Sequence, residues 1–78
     1  MPTILRIGGF RFFFYSNEGT EPPHIHVERA DAVAKFWLET IELSSNYGFN
    51  SKEIRQIHEL VEENRAFFIS KWNEHFGN

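Results

Sequence analysis

No cysteine occurs among the 78 residues, which excludes a disulfide framework and thiolate chemistry. No apolar run approaches the ~20 residues of a membrane span. The segment Met1–Arg6 lacks the basic start and long apolar stretch of a signal peptide, so a soluble, cytoplasmic protein is the expectation. No strong charge excess is present either: the net charge is −3, which argues against nucleic-acid binding through bulk charge. Nothing in the chain matches a nucleotide-binding loop, a serine-nucleophile motif or a deaminase signature. There is no internal repeat, low-complexity tract or linker, and the chain reads as a single domain, residues 1–78.

What is abundant is aromatic bulk. Aromatic residues make up 17% of the chain and nine of them are Phe, enough to fill a thin two-layer core without covalent staples. The charge that exists is uneven. Residues 1–38 are balanced, while residues 39–78 carry the whole deficit of −3. That leaves room for a locally positive face in the first half.

Thr3–Ile7 and Phe10–Tyr15 read as strands joined by Gly8-Gly9, a two-residue hairpin signal, because such turns need positive φ. That turn sets Ile7 opposite Phe10, Arg6 opposite Arg11, Leu5 opposite Phe12, Ile4 opposite Phe13 and Thr3 opposite Phe14. A polar loop over 16–20 and the stiff Pro22-Pro23 pair lead to a third strand over His24–Arg29, where polar and apolar residues alternate strictly. Ile25 and Val27 face one way; His24, His26 and Glu28 face the other. A turn near Ala30-Asp31 leads to a fourth strand, Val33–Leu38. Pairing Val27 with Ala34 and Ile25 with Phe36 keeps apolar residues together, and places His26 opposite Lys35, His24 opposite Trp37 and Glu28 opposite Val33. Residues 39–43 are ambiguous between a short strand and a helical turn, and 44–48 read as loop. A helix over 50–76 begins with Asn50 as N-cap, Glu53 completing a capping box and Phe49 with Ile54 as a staple. The expected fold is therefore α+β: an antiparallel sheet of about four strands in two consecutive hairpins (residues 3–38), a loop (39–49) and one long helix packed on one sheet face.

The apolar stripe of that helix is Ile54, Ile57, Val61, Phe68 and Trp72, flanked by Ile69 and Phe76. At 1.5 Å per residue the helix would be roughly 40 Å long. Strands of five or six residues span ~17–20 Å, so the helix must overhang the sheet or bend. Arg65, inside the stripe, marks where the covered stretch would end. Phe67, Phe68, Trp72 and Phe76 on an overhang would form a contact surface for a second copy or a partner protein. Leu60 and Phe67 lie off the stripe on one flank, where either the 39–49 loop would cover them or they would add to a partner surface.

If the helix covers the face of Leu5, Ile7, Phe10, Phe12, Ile25, Val27 and Phe36, the opposite face carries Arg6, Arg11, Phe13, Tyr15, His24, His26, Glu28, Lys35 and Trp37. Arg6 and Arg11 are opposed like charges, a costly arrangement unless an anion lies between them. Cations alternating with aromatics suit phosphates and stacked bases. One reading is metal-independent RNA cleavage without a cofactor. Arg6 and Arg11 would hold a phosphate, Lys35 would add catalytic charge there, and Tyr15 or Trp37 would stack a base. His26, beside Lys35, would act as base, and His24 as acid. A second reading is a non-catalytic interaction module. A third is a metal site from His24, His26 and Glu28, with His58 or His75 as further candidates. An ordinary solvated sheet face with structural histidines is the plain alternative to all three.

Several stretches together resemble a known bacterial family: Pro-Thr-Ile-Leu-Arg at 2–6, Gly-Phe-Arg-Phe-Phe-Phe-Tyr-Ser at 9–16, Glu-Pro-Pro-His-Ile-His-Val at 21–27, Ala-Lys-Phe-Trp-Leu at 34–38 and Asn-Tyr-Gly-Phe at 46–49. The family is the one catalogued as domain of unknown function 4160, and the likeness spans nearly the whole chain. It supplies no mechanism. It implies a gene neighbour from another small family, domain of unknown function 2442, in a layout similar to a toxin–antitoxin pair. On that analogy this chain would be the toxin-like, RNA-acting half, or a module that binds its neighbour's product. The family pattern carries glycine near the turn between the third and fourth strands, where this chain has Ala30-Asp31-Ala32.

Overall fold

The computed structural model describes residues 3–16 and 19–77; Asn17 and Glu18 of the expected polar loop lie outside the described residues. Within these the chain forms five strands and two helices: β1 (Thr3–Ile7), β2 (Phe10–Phe13), β3 (His24–Arg29), β4 (Ala32–Trp37), β5 (Glu42–Tyr47), α1 (Ser51–Glu63) and α2 (Arg65–Phe76). The strands make one antiparallel meander in the order β1-β2-β3-β4-β5. The fold is α+β, with one strand more than expected and with the long helix broken in two.

The β1–β2 turn is the one the glycines predict: Gly8 and Gly9 take φ of +58° and +84°, and Ile7, Arg6 and Leu5 pair with Phe10, Arg11 and Phe12. The register then slips at Ile4, so that Thr3 faces Phe13 rather than Phe14. Phe14 is thereby released from the ladder, and β2 ends two residues earlier than the expected Tyr15. The β3–β4 register is the expected one throughout, from His24–Trp37 to Arg29–Ala32. The Leu38 amide extends it by donating to the Pro23 carbonyl at 3.0 Å.

β5 replaces most of the expected 39–49 loop. All six of its residues are exposed, so it lacks the alternation by which a half-buried strand shows itself. Pairing with β4 holds it in the sheet, with a bulge at Ser44: Lys35 pairs with Ser45, but Phe36 pairs with Leu43. The turn before it contains Ile41 at φ +56°, an unusual conformation for a β-branched residue. The turn after it needs glycine. Gly48 has φ +95°, and a Cβ there would come within 3.2 Å of the Ala32 backbone. Asn46 closes this corner, accepting from the Phe49 amide at 3.2 Å and donating to the Phe49 carbonyl at 3.1 Å.

α1 starts with the expected capping box. The Glu53 amide donates to the Asn50 side chain at 2.8 Å, and the Asn50 amide donates to the Glu53 carboxylate at 3.0 Å. The helix then breaks at Asn64, a residue with φ −107° and ψ 14°. There the Asn64 side chain donates to the Leu60 carbonyl at 2.8 Å. Arg65 reaches back across the turn after β4, donating to the Leu38 carbonyl at 2.7 Å and the Glu39 carbonyl at 3.2 Å. The Arg65 that interrupts the apolar stripe is thus the clamp at a bend. A straight rod of roughly 40 Å does not occur; the molecule is 34 Å in its longest extent.

The bend corrects the expected contact surface. Phe68 and Trp72 are fully enclosed. Trp72 meets the edge of the Phe14 ring at 5.3 Å, and Phe68 lies 5.2 Å from Phe12. Phe14 and Gly19, beyond the end of β2, extend the platform beneath α2; Gly19 lies so close to the Phe76 ring that a Cβ would approach it to 2.7 Å. Phe76 is half-buried, and of the four residues only Phe67 is exposed. Leu60 packs on the core near the β1–β2 turn, lining a cleft with Ile7 and Phe10 rather than lying under the 39–49 segment. The core holds Phe10, Phe12, Ile25, Val27 and Phe36 of the expected inner face, joined by Phe14, Ala34 and Leu38, against Ile57, Val61, Phe68 and Trp72, while the expected Leu5 and Ile7 are only half-buried.

Candidate functional site

The outer face of the sheet holds the residues singled out for chemistry. It is not a row of solvated side chains. Phe13 and His26 are buried there, 1% and 8% exposed, with their rings stacked at 5.4 Å. Tyr15 closes over both edge-on, at 5.2 Å from Phe13 and 4.6 Å from His26. Strand alternation places these residues on one face, and the β2–β3 register sets Phe13 directly across from His26. Aromatic pairs of this geometry add to area burial, so the outer face carries a second, smaller apolar layer.

Charged residues rim that layer, and they are matched. The β2–β3 register sets Arg11 opposite Glu28. The Arg11 guanidinium pairs with the Glu28 carboxylate at 2.5 Å, donates to the Thr3 hydroxyl at 2.9 Å, and lies over the Phe13 ring at 4.4 Å. Arg6 does face Arg11 across the hairpin, but the anion that offsets the like charges is Glu28 of this same chain. Lys35 pairs with Glu21 at 2.7 Å and sits over Trp37 at 4.4 Å. Of the three cations considered for a phosphate, Arg11 and Lys35 are engaged by carboxylates; Arg6 stays exposed, with no ion pair among the described residues.

His24 is placed differently from the expected exposed acid. It is fully buried at the end of the sheet, between Trp72 of the helix layer at 4.8 Å and Trp37 of the outer face at 5.6 Å. Its Nδ1 donates to the Pro22 carbonyl at 3.0 Å; a carbonyl only accepts, so this contact assigns the proton to Nδ1. The Pro22-Pro23 pair holds that carbonyl in place. The two histidine rings meet edge to face at 5.1 Å. They are neighbours, and His24 packs and hydrogen-bonds within the chain.

Among the described residues no three His, Asp or Glu side chains are arranged to hold a metal ion. The set His24, His26 and Glu28 is not assembled, because Glu28 turns to Arg11. His58 is half-buried near Phe36, at 6.2 Å, a boundary residue of the core, while His75 is exposed beside the Phe14 and Phe76 rings.

Two contacts and a groove were missed. Glu21 is the partner of Lys35, a contact across a loop that no periodicity shows. The Arg11–Glu28 pair was within reach: setting the second strand beside the third opposes the two charges directly. A groove of about 300 Å³ also opens where β4 ends and β5 begins, lined by Pro22, Pro23, Trp37, Glu39, Thr40 and Glu42. Glu39 and Glu42 are exposed, and no cation pairs with either among the described residues. No described helix is long and apolar enough to cross a membrane.

No curated protein and no solved structure matches the chain. A family model does, described as "Domain of unknown function (DUF4160)", over residues 9–73. The match runs from the β1–β2 turn into α2 and takes in every residue of the aromatic layer, its ion-paired rim and the groove, and on that extent the chain belongs to the family catalogued as domain of unknown function 4160.

Proposed function

We propose that this chain is a non-catalytic protein-interaction module, and that its partner is the small neighbouring gene product that the family resemblance implies. One observation carries this reading: three of the groups that acid–base chemistry on a phosphodiester would need are already committed within the chain. Arg11 is held by Glu28, Lys35 by Glu21, and His24 is enclosed between two tryptophans. A catalytic acid must come within hydrogen-bond reach of its substrate, and a side chain with no exposed surface does so only if the end of the sheet opens. The net charge of −3 supports the same reading, since RNA would have to approach an acidic molecule.

The competing reading is the toxin-like, RNA-cleaving one, with His26 as base, His24 as acid, Arg6 and Arg11 on the phosphate, and Tyr15 or Trp37 stacking a base. Purified protein incubated with RNA in excess chelator separates the two. The interaction-module reading expects intact RNA. Cleavage that disappears in a His24→Ala/His26→Ala variant that still folds replaces it with the enzymatic one.

A further inference from the structure

β5 is an edge strand. It pairs with β4 on one side and, among the described residues, with nothing on the other. Natural edges are usually blunted by lysine, proline, inward-pointing charge or a bulge, and of these β5 carries only the bulge at Ser44. β5, Glu-Leu-Ser-Ser-Asn-Tyr, has no lysine, arginine or proline, and it exposes Leu43 at 43% and Tyr47 at 71%. Its bulge at Ser44 turns Leu43 to the side of Phe36, while Glu42, Ser45 and Tyr47 stay on the outer face with Trp37, Lys35 and Val33.

The groove of Pro22, Pro23, Trp37, Glu39, Thr40 and Glu42 lies at the first residue of this strand. An indole beside two carboxylates suits a cationic side chain, which gains both cation–π attraction and ion pairing. The prolines give the groove a wall with few conformations to lose. Trp37 already accepts one cation of this chain, Lys35 at 4.4 Å, so the ring is electrostatically suited to the role.

We propose that the free edge of β5 and the groove at its start bind an extended, basic segment of a partner protein as a sixth strand, with a lysine or arginine side chain seated among Trp37, Glu39 and Glu42. This rests on the interaction-module reading and names its surface. Main-chain hydrogen bonds along β5 supply the strand pairing, and the groove supplies selectivity, as in other strand-addition modes. The register sharpens the partner's pattern. Trp37–Glu42 and Val33–Tyr47 are the two ends of the outer face along β4, four residues apart, or about 13 Å at strand spacing. A basic side chain in the groove and an apolar one against Tyr47 are therefore four residues apart in the bound segment. A second copy of this chain is a poorer occupant: like copies carry −3 each, and pairing β5 with itself leaves Glu39 and Glu42 without cations.

A library of random linear peptides selected on the immobilised chain tests this. The expected result is peptides with lysine or arginine four residues from an apolar residue. They bind with amide shifts in nuclear magnetic resonance concentrated at residues 42–47, and a Glu39→Lys/Glu42→Lys variant with an unchanged circular dichroism spectrum loses at least about tenfold in affinity. Recovery of no peptide, peptides without basic residues, shifts away from β5, or equal binding to the double variant overturns it. So does light scattering that shows the chain alone pairing through β5. A neighbour protein that binds the double variant as tightly as the unaltered chain also overturns this surface, yet leaves the interaction-module reading standing. RNA cleavage removes the reading itself.

Discussion

Ala30 adopts φ +54° at the first position of the two-residue loop between β3 and β4, where glycine is the favoured residue. A left-handed alanine costs about 1–2 kcal/mol, part of which glycine would return through its freer unfolded chain. Ala30→Gly is accordingly expected to stabilise the protein by about 0.5–1 kcal/mol, read as a higher urea midpoint at unchanged slope; a lower midpoint contradicts the assignment of strain. Glu53 supplies the acid dependence. Its carboxyl is held below the ordinary value of 4.5, first by the Asn50 amide and then by Arg29. Its contribution is present above that ordinary value and is lost as the pH falls through the depressed one. Stability measured against pH should therefore fall on the acid side, and Glu53→Gln should flatten that limb. An unchanged acid limb would mean the capping box carries no linked proton.

At the scale of elements, the strands with alternating or apolar character were legible. Gly8-Gly9 set the first hairpin, and the Ile25–Phe36 and Val27–Ala34 pairs set the second. β5 was not legible because a strand exposed at every residue has no periodicity to read. The helix break was hidden for a related reason: residues 50–76 contain neither Gly nor Pro, and the bend comes from Asn64 and from Arg65 reaching backbone carbonyls 26 and 27 residues away in the chain. Arg65→Ala strips the Leu38 carbonyl of its guanidinium donor, at an expected cost of about 1–3 kcal/mol in chemical denaturation. Arg65→Lys restores little of it, because an ammonium cannot span two acceptors as the planar fork does. Full rescue by lysine would show that charge, not geometry, holds the bend.

At the scale of the molecule, the stripe did not reveal that its aromatic end, Phe68 and Trp72, is covered rather than overhanging; that depended on the bend and on the platform beyond β2. Trp72 and Phe67 make the contrast measurable. Trp72 is 1% exposed and Phe67 41%, so Trp72→Ala should cost about 3–5 kcal/mol and Phe67→Ala less than about 1 kcal/mol. Comparable losses would place α2 wrongly. The candidate site was legible as a set of residues on one face, but not as a set of satisfied ones, since Glu21 and Glu28 reach their partners through strand order and loop path. That satisfaction underlies the central claim, that the chain binds a protein rather than cleaving RNA. Calorimetric titration of the purified chain with the purified product of the adjacent gene tests it most directly. Saturable binding of defined stoichiometry that weakens as salt is raised is expected; an absence of heat and of complex at every salt concentration would rule the interaction out.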